Sequence, residues 1–264
     1  MLRLLTIPIS HYCEKARWAL ERAGIPYREE RHIQAIHMLY AKRAGGGITV
    51  PVLVTPEGTL GESEDILRWV DERTPPEHRL FPGDPAERAE VEQIARRLDR
   101  ELGPKGRRLI YVHMLQDRPL LLDFNNTGVP RWEDRFMRRG FNVVVPLVKR
   151  RLAITPGVEV SDEQDVFREL DWVAELLADG RPYLSGERFG AADLTFGSLS
   201  AAVVAPPDYG TPLPAIDQMR PATRAYIERA REHPAGRFAL SLVQRHRRET
   251  ISAATASGRS SAGR

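Results

Sequence analysis

The sequence predicts an α/β domain with a mixed sheet, followed by a domain built only from helices. Strand-like and helical patterns alternate over the first 75 residues, two proline clusters follow, and every later apolar pattern has helical spacing. The clusters, Thr74-Pro75-Pro76 and Phe81-Pro82-Gly83-Asp84-Pro85, predict a stiff linker at the domain boundary. The expected division is an α/β domain at residues 1–75, a linker at 76–86, an all-helical domain at 87–248 and a disordered tail at 249–264.

The first domain has the element order β-α-β-α-β-β-α, which is typical of a small α/β domain. Leu2 to Ile9 is apolar and predicts a strand. His11 to Ala23 has apolar side chains on one helical face, and Gly24 can supply the left-handed residue that ends a helix. The remaining predicted elements are a strand from Tyr27 to Ile33, a helical turn from Met38 to Arg43, strands Val50 to Val54 and Thr59-Leu60, and a helix from Ser63 to Arg73.

The second domain contains segments with helical spacing throughout. They are Pro85 to Leu102, Lys105 to Leu115, Trp132 to Leu152, Ser161 to Ala178, Ala191 to Val204, Pro221 to Arg231 and Pro234 to Arg247. Gly103-Pro104 is expected to interrupt the first helix, and Ser161 with Gln164 matches a capping box. Ala191 to Val204 is almost wholly apolar and should be the buried centre of the domain. Gln116 to Arg131 is expected to be a long irregular connection that could act as a lid.

Composition limits the functions to consider. Four of the 39 basic residues are lysines and the others are arginines. This excess of arginine over lysine has two interpretations: a GC-rich genome, or recognition of anionic ligands. The arginines alternate with acids and form no basic block, so we expect no nucleic-acid partner. No apolar stretch reaches the ~20 residues that cross a bilayer, and the first ten residues lack the features of a signal peptide. We therefore expect a cytoplasmic protein without a membrane partner.

The single cysteine, Cys13, excludes an intramolecular disulfide and any metal site of several cysteines, and we expect no metal. It lies in the segment Ile9-Ser10-His11-Tyr12-Cys13, where the first strand turns into the first helix. Free N–H groups at a helix N-terminus stabilise an anion such as a thiolate. The alternative is that Ser10 only caps the helix.

Two further segments of the first domain can contact an extended peptide. In Thr49-Val50-Pro51-Val52-Leu53, a cis Val50-Pro51 bond would turn the backbone of Val50 outward, although a proline at a sheet edge explains the motif equally well. In Gly61-Glu62-Ser63-Glu64, the hydroxyl and N–H of Ser63 could bind a carboxylate, and Glu62 could bind an ammonium group. Ser63 as a simple capping residue is the alternative.

In this order, S-x-x-C before a helix, VPVL and then ES-x-x-IL resemble the N-terminal domain of the cytosolic glutathione transferases, with an arrangement of the serine or omega type. The stretch from Pro182 to Leu194, with Gly190-Ala191-Ala192-Asp193-Leu194, is similar to the one that opens the buried helix of that family. The resemblance covers residues 1 to 75 and 160 to 205. It implies a thioredoxin-like N-terminal domain and an all-α helical bundle behind it.

The resemblance also implies roles for individual residues. Ser10 would be catalytic and hydrogen-bond the sulfur of glutathione. Thr49 and Val50, beside a cis-Pro51, would bind the cysteinyl unit. Glu62 and Ser63 would hold the γ-glutamyl end, and Asp193 would be structural.

The chain departs from the family pattern in several places. His11 stands where proline is common, and Ile48-Thr49 stands where many members have a lysine for the glycine carboxylate, so that Lys42 or Arg43 would have to replace it. Gly190 stands where Ser or Thr usually caps the buried helix. Cys13 stands at the second position of a redox C-x-x-C, but Ser10 occupies the attacking position.

The second substrate is expected between the domains. Candidate lining residues are Tyr12, Tyr111, His113, Met114, Trp132 and Phe136. A tyrosine there could stabilise a developing anion or protonate an epoxide oxygen. Each of these side chains, taken singly, could instead belong to the core.

The resemblance implies an enzyme that conjugates glutathione, as co-substrate and without another cofactor, to a small hydrophobic electrophile, as in detoxification. It also implies a homodimer. Two alternatives are a non-catalytic binding or scaffold protein with the same fold, and a glutathione-dependent thiol transferase or peroxidase that uses Cys13.

Overall fold

The computed structural model describes residues 1–251. Residues 249–251 are helical, so the tail predicted from residue 249 does not begin there. The rest of the predicted tail, residues 252–264, lies outside the described residues. Within the described part of the chain, no helix is long and apolar enough to cross a membrane.

The first domain is built on a four-stranded mixed sheet, as predicted. Its elements are β1 (Leu2–Thr6), α1 (His11–Arg22), β2 (Tyr27–Arg31), α2 (Ile36–Arg43), β3 (Val52–Thr55), β4 (Gly58–Leu60) and α3 (Ser63–Glu72). The strand order is β2-β1-β3-β4, with β1 and β2 parallel and the other two pairs antiparallel. This arrangement confirms the thioredoxin-like domain.

Helices cover both faces of this sheet. Successive side chains of a strand point to opposite faces, so β1 contributes apolar side chains to a core on each side. Leu4 of β1 packs with Leu20 of α1 and Ile66 of α3 on one face. Leu5 packs with Ala41 of α2 and Val52 of β3 on the other. The larger of these clusters continues into the second domain, so the two predicted domains share one apolar core.

The second domain is helical, as predicted. Its helices are α4 (Pro85–Arg97), α5 (Gly103–Met114), α6 (Arg118–Asn125), α7 (Arg131–Arg151), α8 (Val158–Leu176), α9 (Ala191–Leu199), α10 (Ala201–Val204), α11 (Pro221–Glu232) and α12 (Pro234–Leu242). Every residue of α9 is buried, which confirms this segment as the centre of the domain.

Three local predictions in this domain are wrong. Gly103-Pro104 does not interrupt the helix, because a π turn at Leu98–Leu102 leads from α4 directly into α5, which begins at Gly103. The missing N–H of proline is tolerated at the start of a helix. The predicted irregular connection from Gln116 to Arg131 contains α6, whose first turn is capped by Asp117. Ser161 does not cap α8, because this helix begins three residues earlier, at Val158. The Ser161 hydroxyl donates instead to Val158 O.

Asp193 has the structural role that the resemblance implies. Its side chain is fully buried at the start of α9. The carboxylate accepts hydrogen bonds of 2.9 Å from the N–H groups of Leu184 and Gly190. It therefore connects the loop before the helix to the first turn of the buried helix, where Gly190 offers no side-chain cap.

Candidate functional site

Two cavities adjoin each other where the first domain meets α5. The first, of about 450 Å³, has mostly apolar walls that include Met114, Leu121 and Val148; we call it the apolar cavity. The second, of about 390 Å³, is lined by carboxylates and is called the acidic cavity; its acids are Glu62, Glu64, Asp65 and Asp99. Both cavities are lined by Thr49, Val50 and Arg107, so a single extended ligand can reach from one into the other.

Ser10 lies at the N-cap of α1 and lines the apolar cavity. Its Oγ accepts a hydrogen bond of 3.4 Å from the Cys13 N–H, the capping role that the sequence left open. A hydroxyl that accepts in this way keeps its own proton for donation. Capping and donation to an anion in the cavity are therefore compatible, and the partial positive charge of the helix start favours such an anion.

The Val50-Pro51 bond is cis. Val50 lines both cavities, and its backbone N–H and C=O have no hydrogen-bond partner among residues 1–251. An extended peptide could pair with these groups, as the sequence suggested for a cis bond.

Glu62 and Ser63 line the acidic cavity at the start of α3. Glu62 occupies the N-cap position but makes no capping hydrogen bond through its side chain. Burial raises the pKa of Glu62, and the nearby carboxylates Asp65, Asp99 and Glu64 add to the effect. A ligand ammonium group would relieve this repulsion, and the adjoining helix start suits a ligand carboxylate.

Comparisons with known proteins agree with this architecture. A family model described as the glutathione S-transferase N-terminal domain matches residues 4–78. Among solved structures, glutathione transferase F2 from Populus trichocarpa is 17% identical, with a TM-score of 0.63 over 97% of this chain and 100% of the other. The chain has the glutathione S-transferase fold.

Bacterial glutathione S-transferases share this fold. The theta-class enzyme from Xanthomonas axonopodis pv. citri, with glutathione bound, is 21% identical, with a TM-score of 0.52 over 91% of this chain and 96% of the other. The enzyme from Sinorhizobium meliloti 1021 is 18% identical, with a TM-score of 0.55 over 91% and 92% of the two chains. No curated protein matches this chain significantly in sequence.

In this glutathione S-transferase fold, the candidate residues for the second substrate separate into two groups. Tyr111 and Met114 line the apolar cavity. His113 lies on the opposite side of α5 and stacks on Tyr226 at 5.5 Å between ring centroids. Residues three apart share a helix face, whereas residues two apart do not, so Tyr111 and His113 could not both face the cavity.

The other three candidates also lie outside the apolar cavity. Tyr12 lines the acidic cavity instead, and its hydroxyl donates to Asp99 O at 2.8 Å. Trp132 and Phe136 are 53% and 49% exposed on α7. They follow one another by one turn on the outer face of that helix, while Val144 and Val148 of α7 face the cavity.

Several residues of the site were not predicted from the sequence. The side chain of Gln34 lines the apolar cavity and donates to Tyr111 Oη at 2.7 Å, and it also exchanges hydrogen bonds with Asn125. Because Oη accepts this bond, the Tyr111 hydroxyl keeps its proton for a ligand. Arg107 precedes Tyr111 by one helical turn, and this spacing was the available signal for it. Lys42 and Arg43, proposed as substitutes for the missing lysine, line neither cavity.

His11 is a neutral part of the cavity wall. It is 4% exposed, and burial together with the nearby Arg107 lowers its pKa to about 3. Its Nε2 has no hydrogen-bond partner among the described residues. The imidazole is therefore uncharged at neutral pH and unsuited to act as a general base.

Cys13 is fully buried and lines neither cavity. Burial raises the pKa of its thiol, while Arg17 and a hydrogen bond with the Ser10 side chain oppose the rise. Within residues 1–251, no cluster of three His, Cys, Asp or Glu side chains could hold a metal ion.

Proposed function

We propose that this chain is a glutathione transferase that conjugates glutathione to a small electrophile. The γ-glutamyl end of glutathione occupies the acidic cavity at Glu62 and Ser63, the cysteinyl backbone pairs with Val50, and the sulfur meets Ser10. The observation that carries the proposal is the continuity of the two cavities at Thr49 and Val50, with the Ser10 hydroxyl in the adjoining wall. The glutathione-bound theta-class structure with the same fold supports it.

Ser10 and the helix start suffice to activate the thiol. A free thiol has a pKa of about 8.5, and lowering it by about 2 units takes roughly 2.7 kcal/mol. One hydrogen bond to a charged acceptor contributes about 1.5–3 kcal/mol. The start of α1 contributes about 0.3–1 kcal/mol more.

The chemical step is a substitution or an addition at an electrophilic carbon. In the substitution, the thiol proton passes to solvent, the sulfur lone pair forms the new carbon–sulfur bond, and the leaving group departs with the pair of the broken bond. The Tyr111 hydroxyl donates a hydrogen bond to the anion that develops in this step. Positioning of the two reactants in adjoining cavities supplies the remaining rate acceleration.

The proposal is tested by retention on immobilised glutathione, followed by turnover with a panel of electrophiles. We expect both. Retention without any turnover would favour the non-catalytic alternative, and loss of both would contradict glutathione binding. The non-catalytic alternative is weakened by the presence of Ser10, Glu62 and Ser63 together, since a site without function has no need of all three.

Replacing Ser63 by alanine should weaken glutathione binding by about 1–3 kcal/mol, because the ligand carboxylate loses a hydrogen-bond donor. Titration calorimetry measures the affinity. The control is Ser161→Ala, which removes a hydroxyl bonded to Val158 O on the distant helix α8. Equal affinity of wild type and Ser63→Ala would reject Ser63 as a glutathione ligand.

Replacing Cys13 by serine should leave most of the conjugation rate intact. Its thiol is fully buried and its raised pKa disfavours the reactive thiolate. Rates are measured in parallel with an aryl halide and a disulfide substrate. Disulfide reduction that disappears in Cys13→Ser would instead establish the thiol transferase alternative.

The remaining elements of the proposal concern the cellular context. We propose that the protein is a cytoplasmic homodimer acting in detoxification, without a cofactor other than glutathione as co-substrate. Light scattering is expected to give twice the chain mass of 29.8 kDa. A mass equal to one chain would leave each site to be built from a single subunit.

A further inference from the structure

We propose that Arg107 binds a carboxylate on the second substrate, so that the preferred electrophile has an apolar body and one carboxylate group. This inference rests on the proposed transferase function and specifies its substrate class. Arg107 differs in its surroundings from its basic neighbours on α5.

The Arg107 guanidinium has no anionic partner in the described part of the chain. It makes no hydrogen bond or ion pair with residues 1–251, and its Nε is buried without a partner. Two neighbours on α5 are paired: Lys105 with Asp165 at 3.2 Å, and Arg108 with Asp162 at 2.6 Å. A guanidinium stays charged, so a buried unpaired donor at a cavity wall indicates a missing anion.

Two acids, Glu101 and Asp99, precede Arg107 in the π turn that leads into α5, and each binds a lysine. Glu101 Oε2 accepts from Lys105 Nζ at 2.6 Å. Asp99 Oδ2 accepts from Lys15 Nζ at 2.7 Å. It precedes Arg107 by eight residues, a separation of roughly 12 Å along a helix. Between them lies Tyr12, whose ring is 5.8 Å from the Arg107 guanidinium and whose hydroxyl is fixed on the Asp99 carbonyl.

The apolar cavity offers no compensating negative charge. Among residues 1–251, no Asp or Glu lines this cavity, and the arginines that line it are Arg107 and the exposed Arg151. Burial keeps its two histidines neutral, with the pKa of His11 lowered to about 3 and that of His37 to about 4. The rest of the wall is mainly aliphatic. A ligand that packs on the aliphatic wall and also pairs with Arg107 combines an apolar body with an anionic group. A carboxylate fits the planar fork of the guanidinium.

The competing assignment is that Arg107 serves glutathione, because it also lines the acidic cavity. The two assignments make different predictions. A group that binds glutathione or its thiolate affects all electrophiles alike. A group that binds the electrophile affects only those that carry the anion.

The experiment compares a chloronitrobenzoate with the corresponding neutral chloronitrobenzamide, using glutathione and the full chain. In both reactions the glutathione sulfur bonds to the ring carbon and chloride leaves with its electron pair. Wild type should favour the benzoate in kcat/KM, after correction for the two uncatalysed rates. Arg107→Gln should lower kcat/KM for the benzoate by about ten- to a hundred-fold, the effect of losing a hydrogen bond to a charged group, and leave the benzamide within about two-fold.

Two further variants control for charge and fold. Arg100→Gln removes one positive charge from an exposed position in the π turn before α5, outside both cavities. It should leave kcat/KM unchanged for both substrates. Arg107→Lys keeps the charge without the fork and should retain part of the preference. Equal losses for both substrates in Arg107→Gln, or a wild type without preference for the benzoate, would overturn the proposal. The wild-type comparison remains decisive if Arg107→Gln fails to fold.

A binding measurement separates this inference from the proposed function. Calorimetry with unreactive nitrobenzoate and nitrobenzamide, in the absence of glutathione, should show binding of the anion that Arg107→Gln weakens by about ten-fold or more. Such binding without turnover of any electrophile would contradict the transferase function but support the carboxylate site. Turnover of neutral electrophiles without binding of the anion would support the transferase function and contradict the carboxylate site.

Discussion

Replacement of Ser10 by alanine should lower kcat/KM with a model electrophile by about ten- to a hundred-fold, because the thiolate loses its hydrogen-bond donor. The Ser10 hydroxyl lines the apolar cavity and caps α1 through the Cys13 N–H. The rate is measured at saturating glutathione, and the pKa of the bound thiol from the pH dependence of the rate. That pKa should rise in the variant, since the hydrogen bond stabilises the ionised form.

The same substitution removes a helix cap, which costs about 1 kcal/mol of stability by itself. Asp84→Ala is the matched control, because Asp84 caps α4 by accepting from the N–H groups of Ala86 and Glu87 and lies in neither cavity. It should lower the free energy of unfolding similarly and leave kcat/KM unchanged. An unchanged rate in Ser10→Ala would reject Ser10 as the residue that activates the thiol.

The largest effect on stability is expected for Asp193→Ala. The variant leaves the N–H groups of Leu184 and Gly190 without their acceptor at the buried start of α9. Each unsatisfied buried N–H costs about 1–3 kcal/mol, so the loss should be roughly 2–6 kcal/mol, against a typical total of about 5–15 kcal/mol. Urea unfolding followed by circular dichroism measures it.

Glu187→Ala is the control for this prediction, because Glu187 is exposed in the same loop before α9 and makes no hydrogen bond within residues 1–251. It should stay within about 0.5 kcal/mol of wild type. If Asp193→Ala were equally mild, water would have to replace the carboxylate, and the side chain would not be what connects the loop to α9.

The effect of Asp193→Ala should also depend on pH. Burial raises the pKa of Asp193 from 3.8 to about 6 in the folded state. The folded chain therefore binds this proton more tightly than the unfolded chain, and the contribution of the group to stability falls as the pH rises between these two values. Above the higher value the difference between wild type and variant should be smaller and constant.

The sequence by itself determined the features that depend on short stretches of chain. The alternation of patterns before residue 75 predicted the mixed sheet, and Ser10 was correctly predicted at the start of α1. The apolar composition of Ala191 to Val204 predicted the buried helix, and the resemblance to the glutathione transferase family implied a structural role for Asp193. The mixed sheet, the buried helix and the position of Ser10 follow from periodicity and from capping, which act within a few residues.

The sequence was less informative where several local signals compete. Ser161 with Gln164 matched a capping box, yet α8 begins earlier, after Gly157, whose φ of 82° suits a residue without a side chain. The segment from Gln116 to Arg131 contains Pro119, Gly128 and Pro130, which favoured an irregular connection, yet Pro119 lies in the first turn of the short helix α6. Its cap at Asp117 was a weak signal, since aspartate is equally common in turns.

Only the tertiary structure decided which side chains meet at the cavities. Tyr111 and Met114 face the apolar cavity while His113 does not, because the rotation of α5 is set by its packing on α8 and α10. The bond from Gln34 to Tyr111 and the position of Arg107 between the cavities join residues far apart in the chain. No local pattern encodes such distances. They arise when helices of the second domain pack against the sheet domain, and they determine what the site can bind.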